Sequence, residues 1–175
     1  MTDPATWGAD AALDALYAAH WRRLVRLSVL LVRDVGLAEE IVQDSFVAMH
    51  GRWGRLREPD KALAYLRQAV VNRSRSALRH RAVVARHDAV QQARADQPGA
   101  DESTVASVRR GAVLDALRRL PARQREVLAL RYYLDLSEAE IADAMGISRG
   151  AVKSHASRGS AALRDLLADS IDGDL

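Results

Sequence analysis

Three sets of side chains in this sequence have types and spacings that could do chemistry. Arg149, Gly150, Lys153, Ser154, Ser157 and Arg158 fall on one side of a helix-spaced segment. Short, basic and hydroxyl-bearing groups in that pattern suit close approach to a DNA groove. Arg149 and Arg158 offer guanidinium forks for guanine edges, and Lys153 a point charge for phosphate. Glu40, Gln43, Asp44 and Val47 recur at i, i+3, i+4 and i+7, with Glu39 beside them. They share one helix face, where acids and amides can receive arginine forks from a partner helix. Gln68, Asn72, Arg75, Ser76 and Arg79 form a polar stripe within a stretch, 67–87, that has no acidic residue. For each set the alternative is an ordinary solvated helix face.

Each set needs an element to hold it, and the C-terminal one has the clearest frame. Ser137 can cap a helix, and Glu140 completes an S-x-x-E capping box. Ile141 and Ala142 give that helix an apolar side, and Gly146 ends it with a residue that tolerates a left-handed turn. Ser148 caps a second helix, on which Val152, Ala156, Gly159, Leu163 and Leu166 recur at helical spacing. Cap, turn, apolar side and basic face together spell a helix-turn-helix. His155 is expected to pack rather than to read DNA.

Upstream, a helix is expected over 11–32, with Leu13, Leu16, Tyr17, Leu24, Leu27 and Leu31 inward. A second is expected over 37–50, with Ala38, Ile41, Val42, Ser45, Phe46 and Met49 on one side. The loop GRWGRLREPD (51–60) leads to a third over 61–81, with Leu63, Leu66, Val70 and Ala77 as its apolar stripe. Residues 82–104 are poor in large apolar groups and contain Pro98-Gly99, so they read as a flexible linker with a frayed helical start. Helices over 105–120 and 121–134 complete a four-helix unit with the helix-turn-helix.

The 175 residues carry a net charge of only +3, and all but Lys61 and Lys153 of the 26 basic residues are arginine. Distribution is therefore the better guide. Basic 67–87 and the acids Asp34, Glu39, Glu40 and Asp44 imply two different partners. With no cysteine, disulfides, zinc-thiolate sites and a cysteine nucleophile are excluded. His20, His50, His80 and His87 lack metal-ligand spacing, and no phosphate-binding glycine loop or supported Ser-His-Asp grouping is present. Neither a catalytic site, a metal site nor a cofactor is expected. The N-terminus is not a signal peptide and no apolar run could span a bilayer, so a soluble cytoplasmic protein without membrane insertion is expected. No further domain is expected after Leu167, which argues against regulation by one in cis.

With these residues in view, the chain resembles a minimal bacterial sigma factor of the extracytoplasmic-function group, near the actinobacterial SigE-like subgroup. LAEEIVQDSFVAMH (37–50) is similar to the polymerase-binding helix of sigma region 2, and AYLRQAVVNRSRSALRHR (64–81) to the helix that melts and reads the minus-10 element. Residues 120–164 resemble region 4, which reads the minus-35 element. The resemblance implies an all-α chain of two small helical domains: region 2 over 11–81, a linker over 82–104 and region 4 over 105–168. It implies that Glu39, Glu40, Gln43, Asp44 and Val47 dock on the clamp helices of the large catalytic subunit of core RNA polymerase. It assigns Arg57, Lys61, Asn72, Arg75, Ser76 and Arg79 to the minus-10 element, with the loop forming a pocket for a flipped base. Trp53 and Tyr65 are expected to pack rather than to stack on bases. Arg149, Gly150, Lys153, Ser154, Ser157 and Arg158 are assigned to the minus-35 element. Core polymerase and promoter DNA are the implied partners, with room for an anti-sigma factor. Two positions depart from the family pattern: Ser76 stands where many members have an acid, and Ala156 where a larger apolar residue is common. A LuxR-type regulator, with a similar AVKSHAS run but a receiver or ligand-binding domain ahead of it, is the nearest alternative.

Overall fold

The computed structural model describes residues 4–88 and 105–172, and every regular element among them is helical. The expected linker falls largely on 89–104, outside the described residues. None of the described helices is long and apolar enough to cross a membrane.

The first half is three helices: α1 (Pro4–Val32), α2 (Val35–His50) and α3 (Ala62–Asp88). Helix α1 starts well before the expected Ala11, consistent with Pro4 in its first turn, where a missing N–H costs nothing. It ends at Arg33, which turns left-handed (φ 64°). Asp34 then caps α2 by accepting the Leu37 N–H at 2.9 Å, and the Arg81 guanidinium donates to the same carboxylate. These two partners, the Leu37 N–H first, hold the Asp34 carboxyl below the usual range. Asp34 is therefore no part of a free acidic patch: it clasps the start of α2 to α3.

Helix α2 buries the six residues its periodicity indicated: Ala38, Ile41, Val42, Ser45, Phe46 and Met49. The buried Ser45 hydroxyl donates to the Ile41 carbonyl at 2.7 Å, and Ser28 and Ser74 share a hydrogen bond at 3.0 Å between α1 and α3. No polar atom of these three serines enters the core unpaired. Tyr17 stacks on Trp21 and meets Phe46 edge-on, yet stays 44% exposed rather than inward as expected. Helix α3 continues through Asp88, seven residues past the expected end, because nothing from Ala82 onward breaks a helix until Pro98.

The second half holds α4 (Val105–Arg119), α5 (Ala122–Leu128), α6 (Glu138–Met145) and α7 (Arg149–Asp172). Helix α5 runs into a π turn, Ala129–Tyr133, and Asp135 leaves it with φ 57°. The Ser137–Glu140 capping box opens α6, and Gly146 closes it left-handed at φ 64°. The Ser137 backbone N–H and then its hydroxyl hold the Glu140 carboxyl below the usual range. That contribution is present above the ordinary glutamate pKa and fades as acid protonates the box. Ser148 accepts the Ala151 N–H at 3.1 Å and starts α7, whose Val152 and Ala156 are buried against Ile141 and Ala142.

Gly159 lies where α7 meets α5. A Cβ there would sit 3.1 Å from the Gln124 Cβ and 3.3 Å from Leu128 Cδ1. Gly159→Leu is therefore expected to force the two helices apart and cost about 1–3 kcal/mol, the usual range for overpacking. Urea denaturation measures this, and an unchanged midpoint would contradict the contact.

The two halves pack on one another. Helix α6 lies along α3, and the π turn meets α1. Their buried residues form one continuous cluster. Polar bonds cross the seam at several points: Gln68 Nε2 to the Asp143 carbonyl at 3.3 Å, buried Arg125 to the Leu31 carbonyl at 3.3 Å, and Arg23 to the Tyr133 carbonyl at 3.4 Å.

Candidate nucleic-acid and partner interfaces

The face of α7 opposite Val152 and Ala156 is open. Arg149, Gly150, Lys153, Ser154, Ser157 and Arg158 are all exposed, while His155 is half-buried, as expected of a packing residue. Arg158 leans back along its own helix and donates to Ser154 Oγ at 3.0 Å. Lys153 lies 3.9 Å from Glu138, whose other carboxylate oxygen accepts from Arg131 at 3.3 Å. At that distance, with the Lys153 ammonium largely in solvent, the pair contributes little. Arg149 stands at the start of α7, where the helix N-terminus itself favours anions.

A second opening lies between the end of α2, the turns over 51–61 and the outer side of α3. It has a volume of about 630 Å³, with Arg52, Arg55, Arg57, Tyr65, Gln68 and Asn72 in its wall. Two 3-10 turns, Trp53–Arg55 and Pro59–Lys61, shape the loop. Trp53 packs against the core, as expected. Tyr65 does not: it is 41% exposed and lines the opening. Arg52 and Arg55 are additions that the sequence argument missed. Their signal was the recurrence of arginine through GRWGRLR, visible once the loop is folded over α3.

The expected polar stripe of α3 divides. Asn72, Ser76 and Arg79 remain exposed, with Arg79 donating to Ser76 Oγ at 3.0 Å. Lys61 is exposed and ion-paired with Glu58 at 2.6 Å. Arg75 is different. Its Nη2 and Nε donate to the two Glu126 oxygens at 2.7 and 3.2 Å, and a longer bond reaches Asn72 Oδ1 at 3.4 Å. The Arg75 side chain is 16% exposed and that of Glu126 4%. Gln68 is also partly engaged with the second half, through Asp143.

On α2, Glu39, Glu40, Gln43 and Asp44 are exposed, and Val47 presents 65% of its surface. Asp44 approaches Arg73 only at 3.9 Å. This face combines negative charge with one apolar side chain and is covered by no described element. Three open faces thus sit on three helices: acidic on α2, basic and amide-bearing around α3, basic on α7.

Residues 16–83 match the family model for Sigma-70 region 2, and residues 110–163 match the model for Sigma-70, region 4. The chain is 32% identical over 162 residues to RNA polymerase sigma factor CarQ of Myxococcus xanthus, covering 93% of this chain and 92% of that protein. It is 33% identical over 144 residues to the RNA polymerase sigma-E factor of Streptomyces avermitilis, covering 82% and 78%. Among solved structures, the fold matches CnrH in its complex with the cytosolic domain of CnrY, with a TM-score of 0.70 at 24% identity over 94% of this chain and 93% of that one. It also matches RpoE of Bartonella quintana in complex with the anti-sigma factor NepR, with a TM-score of 0.66 at 23% identity over 90% and 92%.

Proposed function

The chain belongs to the sigma-70 family as an RNA polymerase sigma factor of the extracytoplasmic-function group, and we propose from that membership how its surfaces divide the work. It binds core RNA polymerase and directs promoter-specific initiation by recognising minus-10 and minus-35 elements. Residues 11–81 are assigned to polymerase binding and the minus-10 element, 82–104 to the tether, and 105–168 to the minus-35 element.

The observation that carries the division is the separation of three exposed faces with different chemistry. Glu39, Glu40, Gln43, Asp44 and Val47 on α2 take the clamp helices of the polymerase, acid against arginine with Val47 as the apolar contact. Asn72, with donor and acceptor on one amide, reads the edge of a base drawn into the opening beside it. Tyr65 offers that base a stacking surface, and Arg52, Arg55, Arg57 and Lys61 meet the flanking phosphates. Extruding a base costs a few kcal/mol, which stacking and the amide contact together offset. Ser76 and Arg79 extend the same surface along α3, and Arg75 joins it only when released from Glu126. On α7, Arg149 and Arg158 read guanine edges, Lys153 meets phosphate, and Gly150, Ser154 and Ser157 allow close approach.

The protein acts by binding and carries out no reaction of its own, and its place of work is the cytoplasm, with the polymerase. An anti-sigma factor is a proposed further partner, by analogy with RpoE of Bartonella quintana bound to NepR. A LuxR-type regulator is set aside because its N-terminal half would not match sigma region 2.

Transcription in vitro with purified core polymerase tests the reading. The full chain is expected to produce transcripts from defined start points, which duplex binding alone does not give. Arg149→Ala is expected to lower initiation about tenfold to a hundredfold at promoters whose minus-35 element it reads, and to leave minus-10 preference unchanged, since a lost bidentate base contact costs about 1–3 kcal/mol. Random initiation by the wild type would overturn the function. Unchanged base preference in the variant would overturn the assignment of Arg149.

A further inference from the structure

We propose that Glu126 is an internal stand-in for DNA phosphate, and that its grip on Arg75 latches the free protein in a closed form unable to melt a promoter. The inference rests on the sigma-factor reading above and adds a step to it.

Arg75 belongs to the same helical stripe as Asn72, Ser76 and Arg79, and those three stay exposed. Arg75 is drawn under the second half, where both Glu126 oxygens accept from its guanidinium at 2.7 and 3.2 Å. A carboxylate and a phosphate present the same pair of acceptors to an arginine fork, so the two compete for one side chain. Glu126 also has Arg123 at 3.5 Å, so its charge is held between two arginines. Around this pair the seam is stitched by Gln68 to the Asp143 carbonyl, Arg125 to the Leu31 carbonyl, and Arg67 to Glu140 at 3.9 Å. Three of the closing side chains, Arg67, Gln68 and Arg75, therefore come from the helix that has to receive DNA.

The closed form also holds both DNA-reading helices on one packed body, whereas a promoter offers its two elements far apart compared with either half. Reading both at once requires the seam to part. The acidic face of α2 and the basic face of α7 lie outside the seam. Polymerase can therefore dock before opening, and opening then frees Arg75 for DNA. Within the closed form each charge depends on the other, so removing or capturing one leaves its partner buried and unpaired and strongly disfavours that form, while opening returns both to water.

Two measurements decide the matter. In the first, free Glu126→Gln protein is compared with wild type for binding a fluorescent single-stranded minus-10 oligonucleotide. A closed form that dominates the free population lowers apparent affinity by the open fraction. The variant is expected to bind about tenfold more tightly or better. Equal binding by a folded variant would overturn the latch. The second covers a variant that fails to fold. The chain has no cysteine, so Arg23→Cys with Tyr132→Cys places two unique thiols, both exposed, on opposite sides of the seam and outside all three faces. Joined by a short cleavable thiol crosslinker, this protein is expected to lose open-complex formation on core polymerase at least tenfold and to regain it on cleavage. Promoter melting by the crosslinked form at the uncrosslinked level would overturn the proposal. Failure of the uncrosslinked pair to transcribe, with wild type also silent, would instead count against the sigma-factor assignment.

Discussion

The Glu40→Lys/Asp44→Lys double variant is expected to lose association with core polymerase while keeping its fold. Both side chains project from α2 on the side away from buried Ile41 and Phe46. Each substitution changes −1 to +1, so the face moves by four charges and turns from attracting arginines to repelling them. Removing one partner of a hydrogen-bonded interfacial charge pair commonly costs about 2–5 kcal/mol, and reversal adds repulsion to that loss. Little is lost within the molecule. Asp44 has only a distant exposed arginine, Arg73 at 3.9 Å, and such pairs contribute about 0–1 kcal/mol. The measurement is co-purification with core polymerase, alongside the thermal midpoint of the free variant. A folded variant that co-purifies normally would refute the docking face.

Asn72→Ala is expected to cut open-complex formation about tenfold to a hundredfold and to leave closed-complex binding nearly unchanged. Asn72 stands in the wall of the opening between α2 and α3, beside Tyr65 and across from the arginines of the 51–61 loop. Its side chain and that of Gln68 are the two amides in that wall, and Gln68 is partly engaged with Asp143. Base-edge contacts of this kind are worth about 1–3 kcal/mol. Permanganate reactivity of unpaired thymines reads the effect directly. Wild-type reactivity in the variant would remove Asn72 from the melting step.

Local patterns in this sequence translated into structure wherever one helix sets its own terms. The period of apolar residues on α2 names its buried face, and Ser137, Glu140, Gly146 and Ser148 mark the ends of α6 and the start of α7 because each satisfies backbone groups within a few residues. Arg75 resisted the same treatment. On α3 it looks like a member of a solvent-facing polar stripe, but the carboxylate that claims it lies 51 residues away. Gln68 and Asp34 were misread for the same reason, since the partners that claim them, Asp143 and Arg81, sit on other helices. Tyr65 erred the other way, for an aromatic beside an apolar stripe packs only where a neighbour covers it, and the loop over 51–61 leaves it facing the opening. The three exposed faces were thus legible as compositions, whereas the seam that consumes part of one of them was not.

The extra length of α3 sets a limit on promoter spacing. Carrying the helix from Arg81 on to Asp88 turns seven residues into rigid rod, about 10 Å of rise in place of about 24 Å of extended chain. Val105 follows Asp88 by 17 residue steps, and covalent geometry alone caps what a chain of that length can span at about 60 Å. Each base pair inserted between the two DNA elements lengthens the duplex by about 3.4 Å and rotates one element about the axis relative to the other. A covalent bound of this kind acts in one direction only: a shortened promoter spacer never meets it, while a lengthened one is drawn toward it and at some length leaves one element out of reach.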